Sequence, residues 1–357
     1  MKRSNLIVGL LSVLVVFVVA AVFKSAYNVV IPLMIAWLLS YICGPVVNYL
    51  VHRKVPLAMA VFAVLTLVLF VLYFFGVFLL NRVREVLAEW TTKGYTDQLY
   101  MIYKDVSYKL HISEEYVASL NWNDKLANMI TTLSASTAQW MFSFIGRLVL
   151  VLIFLVFMLL GKPYFKYKIE DAFPPERGRV FTEITGSISH QVGRYLVVKL
   201  IISAITGVLA WAALSILNVD FALTWGAVTF FLNFIPTIGS IVASIPPILL
   251  AIVLYYPSPW IPFFTALSLL LIQTVMGNIV DPKVMGDQLN LSPVVILLSL
   301  AFFGWMWGIV GALLSVPIAA TIKIFCENIT GLKPISVMMG SGKQLMKASL
   351  MKKEGKA

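Results

Sequence analysis

The chain has 357 residues, of which 60% are hydrophobic and 12% charged, against roughly 25% charged in a soluble domain. Several apolar runs exceed the ~20 residues needed to cross a bilayer, so a soluble fold is excluded, and a β-barrel would instead show short alternating segments. The net charge of +11 is explained by Lys and Arg in cytoplasmic loops, and no nucleic-acid partner is expected.

The first apolar run, Asn5–Phe23, follows two basic residues and ends near Ala20 and Ala21. A signal peptide has that form, but the run is long and more spans follow at once, which favours an uncleaved helix. Segment two, Val29–Leu50, carries Pro32 near its start, where a helix tolerates proline. Segment three, Leu57–Leu80, follows His52, Arg53, Lys54 and Pro56.

The long polar region 81–138 has nearly balanced charge and apolar residues at helical spacing, as in Val83, Val86, Leu87 and Trp90. Helix starts are expected at Ser113 and Asn123, so a small extracytoplasmic helical subdomain is predicted. Segment four spans 139–160. A basic loop and polar helix, 161–194, then feed segment five from Tyr195 to Leu217. The basic clusters at 1–3, 52–54 and 162–179 and the tail after Lys333 share one side. That places the N-terminus, this loop and the tail in the cytoplasm.

Two later stretches are long, apolar and interrupted. Residues 220–256 contain Pro236, Gly239 and Pro246; residues 291–325 contain Pro293, Gly304, Gly308, Gly311 and Pro317. As straight helices each would run about 50 Å against a core of ~30 Å. Parity of the tail requires that both cross or both are re-entrant hairpins. The echo of Gly239…Ser244-Ile245-Pro246 in Gly311…Ser315-Val316-Pro317 favours hairpins within an inverted repeat. The fold class expected is therefore an all-α polytopic membrane protein. It has about eight hydrophobic segments: three helices over 1–80, a fourth at 139–160, and a core over 195–325. A basic tail covers 326–357.

Polar groups near the apolar runs are Lys199, Asn233, Gln273, Asn278, Asp281 and Lys323, with Arg147 at a segment mouth. An ionisable group in hydrocarbon is costly and defaults to function. Lys323 and Arg147 lie near segment ends and are expected to snorkel. Lys199 admits either fate, and Asp281, before Pro282, is equally a solvated turn or cap. Asn233, Gln273 and Asn278 serve as interhelical glue or as ligand contacts. HExxH, GxSxG and Walker A sequences are absent. Histidines 52, 111 and 190 are scattered, and Cys43 and Cys326 have no paired spacing. No enzyme activity, metal or cofactor is expected.

The motifs Leu232-Asn233-Phe234-Ile235-Pro236-x-Ile238-Gly239, Gly277-Asn278-x-x-Asp281-Pro282-Lys283-x-Met285-Gly286 and Trp307-Gly308-x-x-Gly311, with Tyr195-Leu196-x-x-Lys199 and Leu291-Ser292-Pro293, resemble the AI-2E (autoinducer-2 exporter) family of permeases. The resemblance covers 193–323 well and the first four segments in layout only. It implies export of a small polar molecule such as autoinducer-2, or sodium (lithium)/proton antiport. It also implies a bacterial inner-membrane location and a homo-oligomer, a pentamer, with an elevator-like moving unit. Asn233, Gln273, Asn278, Asp281 and Lys199 are the candidate substrate or ion path. Pro236, Gly239, Pro246, Pro282, Gly286, Pro293, Gly304, Gly308, Gly311 and Pro317 are the candidate breaks. A non-transporting membrane organiser is the reading from a different class.

Overall fold

The computed structural model describes residues 2–92, 94–109, 111, 122–285 and 289–342. Gly286 and the expected helix start at Ser113 lie outside these. The described residues form helices α1 (Lys2–Ser25), α2 (Tyr27–His52), α3 (Leu57–Thr92), α4 (Tyr95–Lys109), α5 (Trp122–Ala172) and α6 (Pro175–Ile216). There follow α7 (Ala222–Leu232), α8 (Ile238–Tyr255), α9 (Trp260–Thr274), α10 (Asp281–Met285), α11 (Pro293–Glu327) and α12 (Lys333–Met339). A π-helical turn, Val275–Val280, joins α9 to α10. Among the described residues, seven helical stretches are long and apolar enough to cross a bilayer, and the chain is an all-α polytopic membrane protein.

Two expectations change in detail. The 161–194 loop is helical on both sides of a break at Phe173-Pro174. The polar region 81–138 continues the neighbouring spans: α3 runs on to Thr92, and α5 is one 51-residue helix from Trp122.

Two compact units make up the chain. One holds 1–65, 147–197 and 287–357; the other holds 66–146 and 198–286.

In the second unit the stretch 220–256 doubles back. An alanine Cβ at Gly239 would lie 1.7 Å from the carbonyl oxygen of Leu232, seven residues earlier. In one continuous helix those residues would be about 10 Å apart. The reversal occupies 233–237, where Thr237 adopts a φ of 62°, rare for a β-branched residue. Both roots of this hairpin lie at the same place. The Tyr255 hydroxyl donates to the Asn218 carbonyl at 2.9 Å, joining the end of α8 to the turn before α7.

Helix α4 straps these roots together. Its first residue, the fully buried Tyr95, donates to Asp220 Oδ2 at 2.5 Å, just before the first arm. Ten residues on, Asp105 accepts from the Tyr256 hydroxyl, just after the second arm, and from Lys109 Nζ at 3.0 Å. Tyr95 packs with Ala210, Leu214, Val219, Leu250, Ala251 and Leu269 in the apolar core of this unit. Burial first, and then the Asp220 carboxylate, push the Tyr95 phenol above its ordinary range, which keeps it a donor.

In the first unit α11 doubles back as well. Gly308 has φ 65° and ψ −144°, a region open essentially to glycine alone. A Cβ at Gly311 would lie 1.9 Å from the carbonyl oxygen of Phe303. The ends confirm the reversal: Ser292 N–H donates to the Met339 carbonyl at 2.8 Å, and Leu291 pairs with Gly340. From Asn328 to Gly340 the chain, largely helical, could not span the ~50 Å of an unbroken 35-residue helix. Both interrupted stretches are therefore hairpins rather than through-spans. Gly304, Pro246 and Pro317 stay inside helical arms, and Pro293 stands at the first position of α11, behind the Ser292 cap. At the tip of this second hairpin, Trp307 Nε1–H donates to the Phe23 carbonyl at 3.2 Å. The Lys24 ammonium sits 3.7 Å from the Trp305 ring centroid, a cation–π contact.

Two predictions follow from these contacts. Gly239→Ala and Gly311→Ala each force a methyl onto a backbone carbonyl and should cost at least the ~1–3 kcal/mol of an overpacked core. Gly161→Ala, with nothing within 4 Å, should be neutral or slightly stabilising. Thermal unfolding in detergent checks both. Separately, the Tyr256 hydrogen bond and then Lys109 hold the Asp105 carboxyl below its usual value. A depressed carboxylate stabilises above its unfolded value, about 3.9, and that contribution is lost as pH falls further. Asp105→Asn should therefore speed amide exchange at 253–258 severalfold at pH 7, a difference that shrinks only as pH falls below about 4 through the depressed folded value.

Candidate functional site

Helix α6 presents Lys199 and Ser203 one turn apart on one face. Both are buried, at 4% and 0% exposure. Lys199 Nζ donates to Asp281 Oδ2 at 2.7 Å, and Ser203 Oγ accepts from Asn233 Nδ2 at 3.0 Å. One helix thus holds both the tip of the first hairpin and the end of the next crossing. Ser203 was missed in the sequence: a small hydroxyl residue inside an apolar helix carries no signal until its partner is known.

The π-helical turn Val275–Val280 re-aims this end of the crossing. An inserted residue shifts everything beyond it around the helix axis, and such turns concentrate at functional sites. Asn278 lies in it and Asp281 directly after it. Asp281 closes the π-helical turn as its C-terminal cap residue, its N–H donating to the Met276 carbonyl, and it is not a fully solvated turn. Its side chain is 20% exposed and ion-paired to one that is 5% exposed, and its Oδ1 is buried without a hydrogen-bond partner among the described residues.

Lys199, Asn233, Gln273, Asn278 and Asp281 all line one cavity of about 560 Å³. Residues up to 82 positions apart in sequence therefore share one wall. Thr237, just before α8, and Ser240 and Ser244 on its first turns complete its polar end. The Ser240 and Ser244 hydroxyls donate back to the carbonyls of Thr237 and Ser240, at 2.8 and 2.9 Å. They consequently face a ligand as acceptors.

Lys323, expected to snorkel, is instead buried at 6% exposure, with Glu327 Oε2 3.5 Å from its Nζ. Arg147 lies exposed with its guanidinium 5.6 Å from the Tyr27 ring centroid. Cys43 and Cys326 are free and buried. Among the described residues no group of three His, Cys, Asp or Glu is placed to hold a metal.

The sequence profile of AI-2E family transporters matches residues 11–331. The AI-2 transport protein TqsA of Escherichia coli K12 is 33% identical over 325 residues, 88% of this chain and 90% of its own. A protein of Borreliella burgdorferi, named provisionally for transport, is 30% identical over 337 residues, covering 94% of this chain and 91% of that one. A similarly named protein of Haemophilus influenzae is 31% identical over 359 residues, 95% and 98% of the two chains.

The ion pair gives a testable asymmetry. Lys199→Met leaves the Asp281 carboxylate without its counterion, and removing one partner of a fully buried pair costs about 3–5 kcal/mol; the 20% exposure of Asp281 puts this pair below that range. Lys199→Met with Asp281→Asn removes both charges. The double variant should melt closer to wild type than Lys199→Met alone, in detergent at pH 7.

Proposed function

This chain belongs to the AI-2E family of transporters, and on that premise we propose that it is a secondary transporter of the bacterial inner membrane exporting a small polar molecule such as autoinducer-2. The observation that carries the proposal is the cavity walled by Lys199, Asn233, Gln273, Asn278 and Asp281 beside a re-entrant hairpin. Polar groups in an apolar span gather where something polar must pass. The hydroxyls and amides offer hydrogen bonds to a neutral cargo, and the Lys199–Asp281 pair leaves the wall without net charge. No nucleotide-binding loop is present in the sequence, so flux would run on an ion gradient or on the gradient of the cargo itself. Both termini are assigned to the cytoplasm by the basic clusters, and the protein is taken to work as a homo-oligomer, a pentamer by family resemblance.

A second reading, sodium (lithium)/proton antiport, is favoured by one specific feature: the buried Oδ1 of Asp281, without a partner among the described residues, next to an ammonium that a proton would displace.

Flux of labelled autoinducer-2 and of sodium in proteoliposomes separates the two. Under the export reading Asn278→Ala and Gln273→Ala each slow autoinducer-2 flux about two- to tenfold, the worth of one hydrogen bond. Under the antiport reading Asp281→Asn abolishes sodium-driven proton movement. Unchanged exchange in that variant removes Asp281 as the coupling group.

A further inference from the structure

The cavity is not uniform along its length. Its polar groups crowd the end at the hairpin tip, from Asn233 through Thr237, Ser240 and Ser244 on one side and from Asp281 back to Gln273 on the other. Towards the hairpin root the wall becomes Ile245, Ile248, Ala266 and Leu270. From Thr237 to Ile248 this is about 16 Å of helix. The volume of about 560 Å³ lies within the range of sites that enclose drug-sized ligands. Leu270 is 64% exposed and Ile245 48% exposed, so the apolar end is open at the side, where the surroundings of a membrane protein are lipid.

The chemistry of the polar end is also one-sided. The buried Asp281 Oδ1 is an acceptor with no partner among the described residues. The Ser240 and Ser244 hydrogens are already given to backbone carbonyls. A head group placed here must bring hydrogen-bond donors. It must also be uncharged: Lys199 and Asp281 are the charged residues of the wall and neutralise each other, and a third buried charge would have no counterion.

We propose that this cavity takes a neutral amphipath: a hydroxyl-bearing head against Asp281, Ser240 and Ser244, and an apolar tail of several carbons along Ile245, Ile248 and Leu270. The assignment rests on the cavity being the transport site and narrows its substrate class from small polar molecules to molecules polar at one end.

The test uses the full chain in lipid nanodiscs, with Cys43 and Cys326 replaced by alanine and Gly277→Cys as reporter. Gly277 lines the cavity and has nothing within 4 Å of a Cβ. Modification by N-ethylmaleimide is read by intact mass while 1,2-propanediol, 1,2-hexanediol or 1,2-octanediol is titrated in. Protection should tighten up to about fourfold per methylene. Octanoate, which carries a charge and no donor at neutral pH, should protect at least tenfold less well than 1,2-octanediol. Because longer diols also concentrate in lipid, the deciding comparison is with Ile245→Ser/Leu270→Ser. That variant should flatten the chain-length dependence while leaving protection by 1,2-propanediol unchanged. An equal chain-length dependence in both proteins overturns the amphipath assignment. So does protection by octanoate that matches 1,2-octanediol. Autoinducer-2 flux measured on the same preparation in proteoliposomes separates the two proposals. Flux with no chain-length gain overturns the amphipath alone, and absence of both flux and protection overturns the transport site with it.

Discussion

A peptide group at bilayer depth has no water to bond, so a chain that reverses there must satisfy itself. The first hairpin does so with its own backbone. At the reversal, Asn233, Phe234 and Ile235 N–H donate to the carbonyls of Thr229, Phe231 and Leu232, and Gly239 N–H donates to Ile235. These short turns close only because the arms touch, and the arms touch only where a side chain is missing. Gly239 against Leu232 and Gly311 against Phe303 are the same solution used twice, each on the first turn of the returning arm.

Electrostatics follow from that backbone arrangement. A reversal that satisfies its own amides leaves side chains free for other work, and the polar side chains nearby are tied to α6. Lys199 and Ser203 reach two different elements from one helical face. The charge pair sits at the polar end of the cavity, where the surrounding wall is otherwise neutral. Burying an ammonium at 4% exposure is tolerable because a carboxylate lies at 2.7 Å.

Much of this was legible in the residues. Run lengths located the spans, and the scarcity of polar residues within them singled out Lys199, Asn233, Gln273, Asn278 and Asp281, which share one cavity wall. Local pattern could not say which of Gly304, Gly308 and Gly311 turns the chain. All three are able to, and only the packing of the returning arm selects Gly308. Nor does a π-helical turn announce itself in Val275–Val280, whose composition suits an ordinary helix. Lys323 looked like an end-of-segment lysine; its burial depends on how α11 folds back. The contacts of Tyr95 with Asp220 and of Tyr256 with Asp105 join residues 125 and 151 positions apart, and periodicity carries no information at that range.

The strap across the first hairpin has a mechanical meaning. Hydroxyls of Tyr95, Tyr255 and Tyr256 hold the root, whereas among the described residues the tip is tied to another helix by the side-chain bond from Asn233 to Ser203. A rigid arm gripped firmly at its base and lightly at its free end acts as a lever. Were that one amide bond broken, the light grip would be released, and a small tilt at the base would become a wide sweep at the end beside Lys199.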